Sequence, residues 1–337
     1  MMTSSIPGAH EILASENERI LEMSRNFALI GAAGYIAPRH FKAIYDTGNR
    51  LAAATDPHDA VGILDRFSFE PRFFKEIERF DRHMDKLRRG PEENRIHWVS
   101  VCSPNYLHDA HIRLALRNEA DVICEKPLVI NPWNLDALEA IAGETRKAVK
   151  TVLQLRVHPA LVDLKKMLDS SPPKKREVVL TYITARGPWY AVSWKGQEER
   201  SGGIGLNIGV HFFDLLMWLF GIPDREEVHL REESRMSGAM VLKNADVRWF
   251  LSAEARDLPF EPEPGKRTTF RSITVDSKEV EFSEGFTDLH TLVYRRTLEG
   301  GGFGLSDARP SIELVHRLRH ATPGKDLPRH PALEAKG

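Results

Sequence analysis

Three groups of residues in this 337-residue chain have types and spacings that can do chemistry. The first is Gly31-Ala32-Ala33-Gly34-Tyr35-Ile36-Ala37. Small residues there permit a tight turn and a close approach of backbone to a pyrophosphate, and the N–H groups of a following helix would face the phosphates. Gly31, Ala33, Gly34, Tyr35 and Ile36 are therefore candidate cofactor contacts. Asp56 follows about twenty residues on, where a carboxylate accepts from adenosine ribose hydroxyls and repels a 2′-phosphate. The pattern points to a dinucleotide, NAD in preference to NADP.

The second group is Glu125-Lys126-Pro127 at the end of an apolar run. A lysine there can donate to a substrate hydroxyl and steady developing alkoxide charge. As a solvated turn the tripeptide needs no such role, and alone it is even between the two. Ser103-Pro104-Asn105 and His108 follow another apolar run and either touch the cofactor or form a plain turn. The third group is Asn207, His211 and Asp214, four and three residues apart beneath the glycine-rich stretch Gly202–Gly205. Helical spacing would place them on one face. Histidine has the proton affinity suited to taking a hydroxyl proton during hydride transfer.

The elements that must carry these groups alternate over the first part of the chain. Phe27–Ile30, Leu51–Ala54, His97–Val101, Asp121–Cys124 and Thr151–Leu155 read as strands, with helices Tyr35–Asp46, Phe73–Arg89, His108–Arg117 and Leu135–Val149 between them. Such alternation implies a doubly wound parallel sheet. Beyond Arg156 strands follow without intervening helices, around an apolar helix Asn207–Phe220 and two closing helices, Phe286–Leu298 and Ser306–Arg319. The expected fold is α/β: an N-terminal Rossmann domain over 25–156 and a C-terminal α+β domain over 157–322. Residues 1–24 read as a disordered extension or a misplaced start, with a short helix over Ala9–Met23 as the alternative, and 323–337 as a loose tail.

Composition excludes several classes. Lys plus Arg (47) nearly cancels Asp plus Glu (48), so no global field attracts nucleic acid or anionic lipid. No apolar run reaches the length that spans a bilayer, and the N-terminus lacks a secretory core, so a cytoplasmic location is expected. Cys102 and Cys124 lie in strand-like runs and read as buried thiols, and no metal site is expected.

The glycine turn, Glu125-Lys126-Pro127 and Gly209-Val210-His211 with Asp214 together resemble the Gfo/Idh/MocA oxidoreductase family, over about Asn26 to His320. The resemblance implies a Rossmann domain, a second domain with an open, mostly antiparallel sheet, assembly as dimers or tetramers, and Lys126 with His211 as the catalytic pair. Many members carry Asp where this chain has Asn207, which leaves Asn207 a hydrogen-bonding role. Longer strings, among them Gln154-Leu155-Arg156, Trp189-Tyr190, Ser193-Trp194-Lys195-Gly196, Gly285–Thr291 and Gly302–Arg317, resemble the members that oxidise C3 of UDP-N-acetyl-glucosaminuronate in surface-polysaccharide synthesis. That narrower resemblance implies NAD as cofactor and 2-oxoglutarate as an acceptor that reoxidises it. Gln154, Arg156, Arg186, Trp189, Tyr190, Trp194, Lys195, His290 and Arg309 are the corresponding candidates for substrate contact. Guanidinium forks suit a carboxylate or diphosphate, and the aromatic rings suit a sugar or uracil face or plain packing. A dehydrogenase of another sugar or inositol, or a dinucleotide-sensing regulator without turnover, would share most of these features.

Overall fold

The computed structural model describes residues 24–59, 61–262, 268–280, 282 and 288–334. The expected N-terminal extension, the string Gly285–Thr291 over 285–287, and the start of the Phe286–Leu298 helix lie outside them. The first sheet is built from β1 (Asn26–Ile30), β2 (Arg50–Thr55), β3 (Arg72–Phe74), β4 (Trp98–Val101), β5 (Asp121–Cys124) and β6 (Val149–Thr151). Among the helices between them are α1 (Ala37–Asp46), α2 (Ile77–Arg88), α3 (His108–Arg117) and α4 (Pro132–Thr145). Sheet order is β6-β5-β4-β1-β2-β3, all parallel. Every residue of β1 is buried, as a central strand with helices on both faces requires. The order reverses between β1 and β4, and that switch point opens the crevice in which α/β proteins bind ligands.

After helix α5 (Pro159–Ser170) the chain enters a second sheet. Its strands are β7 (Arg176–Thr184), β8 (Pro223–Arg231), β9 (Arg235–Leu242), β10 (Ala245–Ser252), β11 (Thr269–Val275) and β12 (Lys278–Glu279). The order is β12-β11-β7-β10-β9-β8, antiparallel except for β7 beside β10. Strand period decides what each face covers. Val178 and Leu180 of β7 and Val247, Trp249 and Leu251 of β10 join a core with helix α6 (Val210–Phe220), whereas Phe250 points the other way. The stretch Glu198–Phe220 is long and apolar enough to cross a membrane, yet 78% of its apolar window is buried in this core.

Two findings revise the sequence reading of the C-terminal third. Helix α7 (Leu289–Leu298) and strand β13 (Phe303–Gly304), grouped by sequence with the second domain, return to the first. Val293, Tyr294 and Phe303 pack with Phe27, Phe41 and Ile44, and β13 adds an antiparallel edge to β6. Apolar periodicity marks α7 as a helix but does not say which sheet its apolar side meets. Helix α8 (Leu305–His320) then spans both domains, with Ala308 and Ile312 in one core and Leu314, Val315 and Leu318 in the other.

The tail, expected to be loose, is docked through residue 334. Gly324 N–H donates to Val228 O at 2.8 Å, Asp326 pairs with Arg225 at 2.9 Å, and Leu327 N–H donates to Glu227 Oε1 at 3.1 Å. His330 is buried, stacks on Phe250 with ring centroids 5.6 Å apart, and bonds Thr181 Oγ1 at 3.1 Å. The polar composition that suggested disorder hides one aromatic anchor on the outer sheet face. Truncation after Ala321 uncovers Phe250, and the expected loss is roughly 2 kcal/mol in urea unfolding. An unchanged midpoint with an unchanged slope would show that the tail contributes nothing.

Candidate active site

At the switch point, Gly31 has φ +94°, and a Cβ there would stand 2.7 Å from Cys102 C and Ser103 N. Only glycine lets the turn lie against the β4 loop. Gly31 and Ala32 N–H groups donate to Thr55 O at 2.9 and 3.2 Å, locking the turn to β2. Helix α1 starts just beyond with no side-chain cap and no acid in its first turn. In its first turn Ala37 N–H donates to Gly34 O at 3.1 Å, Arg39 N–H donates to Ile36 O at 3.0 Å and Pro38 has no N–H. What the helix offers a pyrophosphate is therefore its positive dipole end. Tyr35 is almost fully exposed beside it. Asp56 caps this arrangement from β2: Oδ2 accepts from Ala33 N–H and Oδ1 from His58 N–H, both at 2.9 Å. Each oxygen keeps a lone pair for a ribose hydroxyl. The turn, the open helix end and the carboxylate fit a dinucleotide.

The remaining proposed cofactor contacts are spent mainly within the protein. Ser103 Oγ bonds His111 Nδ1 at 2.7 Å. Asn105 is buried and donates to Ser201 O at 2.8 Å, joining the β4 loop to the second domain. His108 is buried with both ring nitrogens on carbonyl oxygens, Pro127 O at 2.7 Å and Ser103 O at 2.8 Å. It clamps the two crevice loops and offers no free atom to a cofactor, contrary to the sequence expectation.

Glu125 ends β5 as a buried carboxylate. Oε1 accepts from His40 Nε2 at 3.0 Å and His290 Nε2 at 2.7 Å, and Oε2 from Lys126 N–H at 3.2 Å. Burial alone would push its proton affinity up. The bonds from His290 and His40 outweigh this and hold the carboxyl well below the usual range. One carboxylate oxygen thus gathers two imidazoles from separate helices. Lys126 is half-buried and its Nζ donates to Asn207 O at 2.9 Å. Burial lowers the amine to about 8, with Lys195 and Arg186 pressing the same way and Glu125 opposing.

Opposite stands the start of α6. The glycine-rich stretch enters it through one wide π-helical turn, Gly205–Gly209, a feature often found at functional sites. That turn breaks the regular spacing assumed from sequence, so Asn207, His211 and Asp214 do not act as one stripe. Asn207 Nδ2 donates to Tyr190 OH at 3.3 Å. His211 is half-buried and its Nδ1 has no hydrogen-bond partner among the described residues. Burial and the Lys126 charge hold its imidazole neutral, well below the ordinary value.

Asp214 turns away to Arg156, accepting from Nε at 2.9 Å and Nη2 at 2.6 Å, and Arg156 Nη1 also reaches Asp307 at 3.2 Å. Arg156, expected on the substrate, is thus an internal tie between the β6 turn, α6 and α8. Arg309 likewise pairs with Asp136, Glu139 and Glu313. Pro310 and Ser311 lie inside α8, whose start is closed by the Gly304 N–H bond to Asp307 at 2.8 Å. His290 is buried on Glu125 and does not line a substrate face. Gln154 lies half-buried in the turn after β6.

The candidates left for a substrate form a cationic, aromatic rim. Arg186 and Trp189 are exposed, Tyr190 is buried, and Lys195 Nζ lies 5.6 Å from the Trp189 ring centroid and 5.8 Å from that of Trp194. Sequence reading missed Arg271, which lies over Tyr182 and Phe282 and lowers the proton affinity of His211, and also His40 and Tyr294. An arginine on a strand and a histidine in a helix carry no spacing signal of their own.

A Rossmann turn facing a lysine and a histidine across one crevice defines a dinucleotide-dependent oxidoreductase. Residues 25–153 match the oxidoreductase family's NAD-binding Rossmann fold, and residues 172–252 match its C-terminal alpha/beta domain. The chain belongs to the Gfo/Idh/MocA oxidoreductase family. It is 48% identical to the WlbA (WbpB) dehydrogenase of Thermus thermophilus, with a TM-score of 0.85 over 91% of this chain and 99% of that one. That enzyme was crystallised with NAD and alpha-ketoglutarate and with NAD and UDP-GlcNAcA. Inositol 2-dehydrogenase of Rhizobium meliloti is 27% identical over 202 residues, 59% of this chain and 56% of its own length. The chain thus aligns with about half the length of that curated relative.

Removing one partner of a buried ion pair leaves the other charge uncompensated. Arg156→Met is expected to cost about 3–5 kcal/mol of unfolding free energy. A loss of substrate affinity at wild-type stability would instead return Arg156 to the binding surface.

Proposed function

We propose that this protein oxidises the C3 hydroxyl of a UDP-N-acetyl-glucosaminuronate to the 3-keto sugar, with NAD as cofactor. The observation that carries the reading is the 48% identity, over nearly all of both chains, to a dehydrogenase crystallised with NAD and UDP-GlcNAcA. The rim supports it chemically, because Arg186 and Lys195 suit a diphosphate or uronate, and Trp189 and Trp194 suit a sugar or base face. We extend 2-oxoglutarate to this chain as the acceptor that restores NAD, a homo-oligomer as the working form, surface-polysaccharide synthesis as the context and the cytoplasm as the location.

When bound, NAD supplies the acceptor for the C3 hydride. The turn at Gly31–Gly34, the positive end of α1 and Asp56 would hold it. His211, held neutral by burial and the Lys126 charge, takes the hydroxyl proton. Lys126, held to Asn207 O, donates to the same oxygen as its charge develops. Asn207 and Tyr190 position the base side of the pocket.

The Lys126 amine, lowered to about 8, favours a second assignment in which it is the proton acceptor and His211 orients the hydroxyl. The two assignments require opposite charge on Lys126. As a donor it must be protonated, so turnover falls above about pH 8. As an acceptor it must be neutral, so turnover falls below about pH 8. The pH dependence of kcat decides.

Lys126→Ala and His211→Asn are each expected to lower kcat by roughly 100-fold or more while NAD binding is retained. Near-native turnover in either would remove that residue from the mechanism. The similarity to inositol 2-dehydrogenase favours a neutral polyol as the competing substrate. In a thermal-shift series with NAD present, UDP-sugar uronates should raise Tm strongly and inositols should not. The reverse order would overturn the substrate assignment.

A further inference from the structure

Glu125 is surrounded by donors that arrive from separate parts of the chain. His40 comes from α1, His290 from α7, and the Lys126 N–H from its own loop. The chain of bonds behind His40 runs in one direction. Its Nδ1 lies 2.6 Å from Tyr294 OH, which lies 2.6 Å from Ser100 Oγ. Burial lowers the proton affinity of His40 and so keeps the ring neutral. A neutral ring with Nε2–H on the carboxylate must accept at Nδ1, so Tyr294 donates to it and accepts from Ser100. Every proton in the chain therefore points toward Glu125. His290 places its own N–H there, while its buried Nδ1 has no partner among the described residues. Two imidazole N–H groups on one buried oxygen are far more than an accessory turn needs, and they suit a carboxylate kept ionised.

We propose that His290 and His40 are positioning residues that hold the Glu125 carboxylate, bonded to the backbone N–H of Lys126, as a fixed negative charge, so that α7 helps set the charge of the Lys126 amine. This rests on the reading that Lys126 works at the reacting carbon. The charged and titratable groups that bear on Lys126 are Glu125 from β5, Arg186 and Lys195 from the segment after β7, His211 from α6 and His108 from α3. Glu125 is the sole anion among them. Without it the cations of the rim would press the amine toward its neutral form, and a substrate that brings further negative charge would alter Lys126 differently at each step. A fixed internal carboxylate makes the amine's charge a property of the protein.

The test is the ionisation of Lys126 itself, read on the full-length protein by limiting acetic anhydride at a series of pH values, with the modified peptide quantified by mass spectrometry. Wild type should titrate near pH 8. In Glu125→Gln the midpoint should move to lower pH by about one unit, a tenfold change in the charged fraction at fixed pH. His290→Leu should move it in the same direction by about threefold, and His290→Gln, which restores an N–H donor, by less than twofold. Should Glu125→Gln fail to fold, the His290 pair decides. A wild-type midpoint in folded Glu125→Gln, or in folded His290→Leu, overturns the proposal, since a merely structural role would lower stability without moving the titration. Shifted midpoints together with near-native turnover in Lys126→Ala would leave the electrostatic role standing and sink only the catalytic reading of Lys126.

Discussion

A carboxylate taken out of water destabilises a fold unless hydrogen bonds and opposite charge replace its hydration. Glu125 meets that constraint with donors from α1, α7 and its own loop, and much of the molecule's arrangement follows from it. Helix α7 must return from the second domain to the first in order to deliver His290 and Tyr294. Its return brings β13 to the edge of the parallel sheet and starts α8 across both domains. The loops on either side of the crevice are clamped next to the same group, by His108 between Ser103 O and Pro127 O, and by Asn105 on Ser201 O. The crevice is therefore rigid at the point where proton and hydride must be aligned.

What was legible in the sequence followed from local periodicity and from turn chemistry. The run Phe27–Ile30 ending in Gly31 could only be a buried strand entering a tight turn, and the structure has both. The run of strands beyond Arg156 without intervening helices pointed to an α+β domain, and the structure has a second, mostly antiparallel sheet there. The tripeptide and glycine-rich contexts mark Lys126 and His211, and the structure joins the two contexts through Lys126 Nζ on Asn207 O. The short strand Arg72–Phe74 was lost inside an expected helix, because three residues carry too little pattern to register against a longer helical one.

The failures share a different cause. Arg156, His290 and Arg309 are expected at a substrate from the narrower resemblance, and His108 at a cofactor from its place after a strand-like run. Each is consumed by a partner far away in sequence: Asp214 at a separation of 58, Pro127 at 19, Glu125 at 165, and Asp136 with Glu139. A residue type states what a group can bind. Only the fold states what reaches it first. The same limit hid His40, whose partner Glu125 lies 85 residues on, and the tail anchor His330, whose partner Thr181 is 149 residues away.

The electrostatics of the crevice join these strands of argument. Over the whole chain the charges nearly cancel, so attraction for any anionic ligand has to be local. Arg186, Lys195 and Arg271 supply it, and the cost is a field that opposes protonation of both Lys126 and His211. For His211 that field is useful, because a neutral ring keeps a lone pair ready for a proton. For Lys126 it would be harmful without a counterweight, because an amine that steadies an oxyanion needs its charge. Glu125, bonded to the backbone N–H of Lys126, opposes that field at both groups; at Lys126 it is outweighed by burial, at His211 by burial and the Lys126 charge. Two groups under one field thus keep different proton affinities, and such a difference is what lets a small site hold a proton acceptor and a proton donor together.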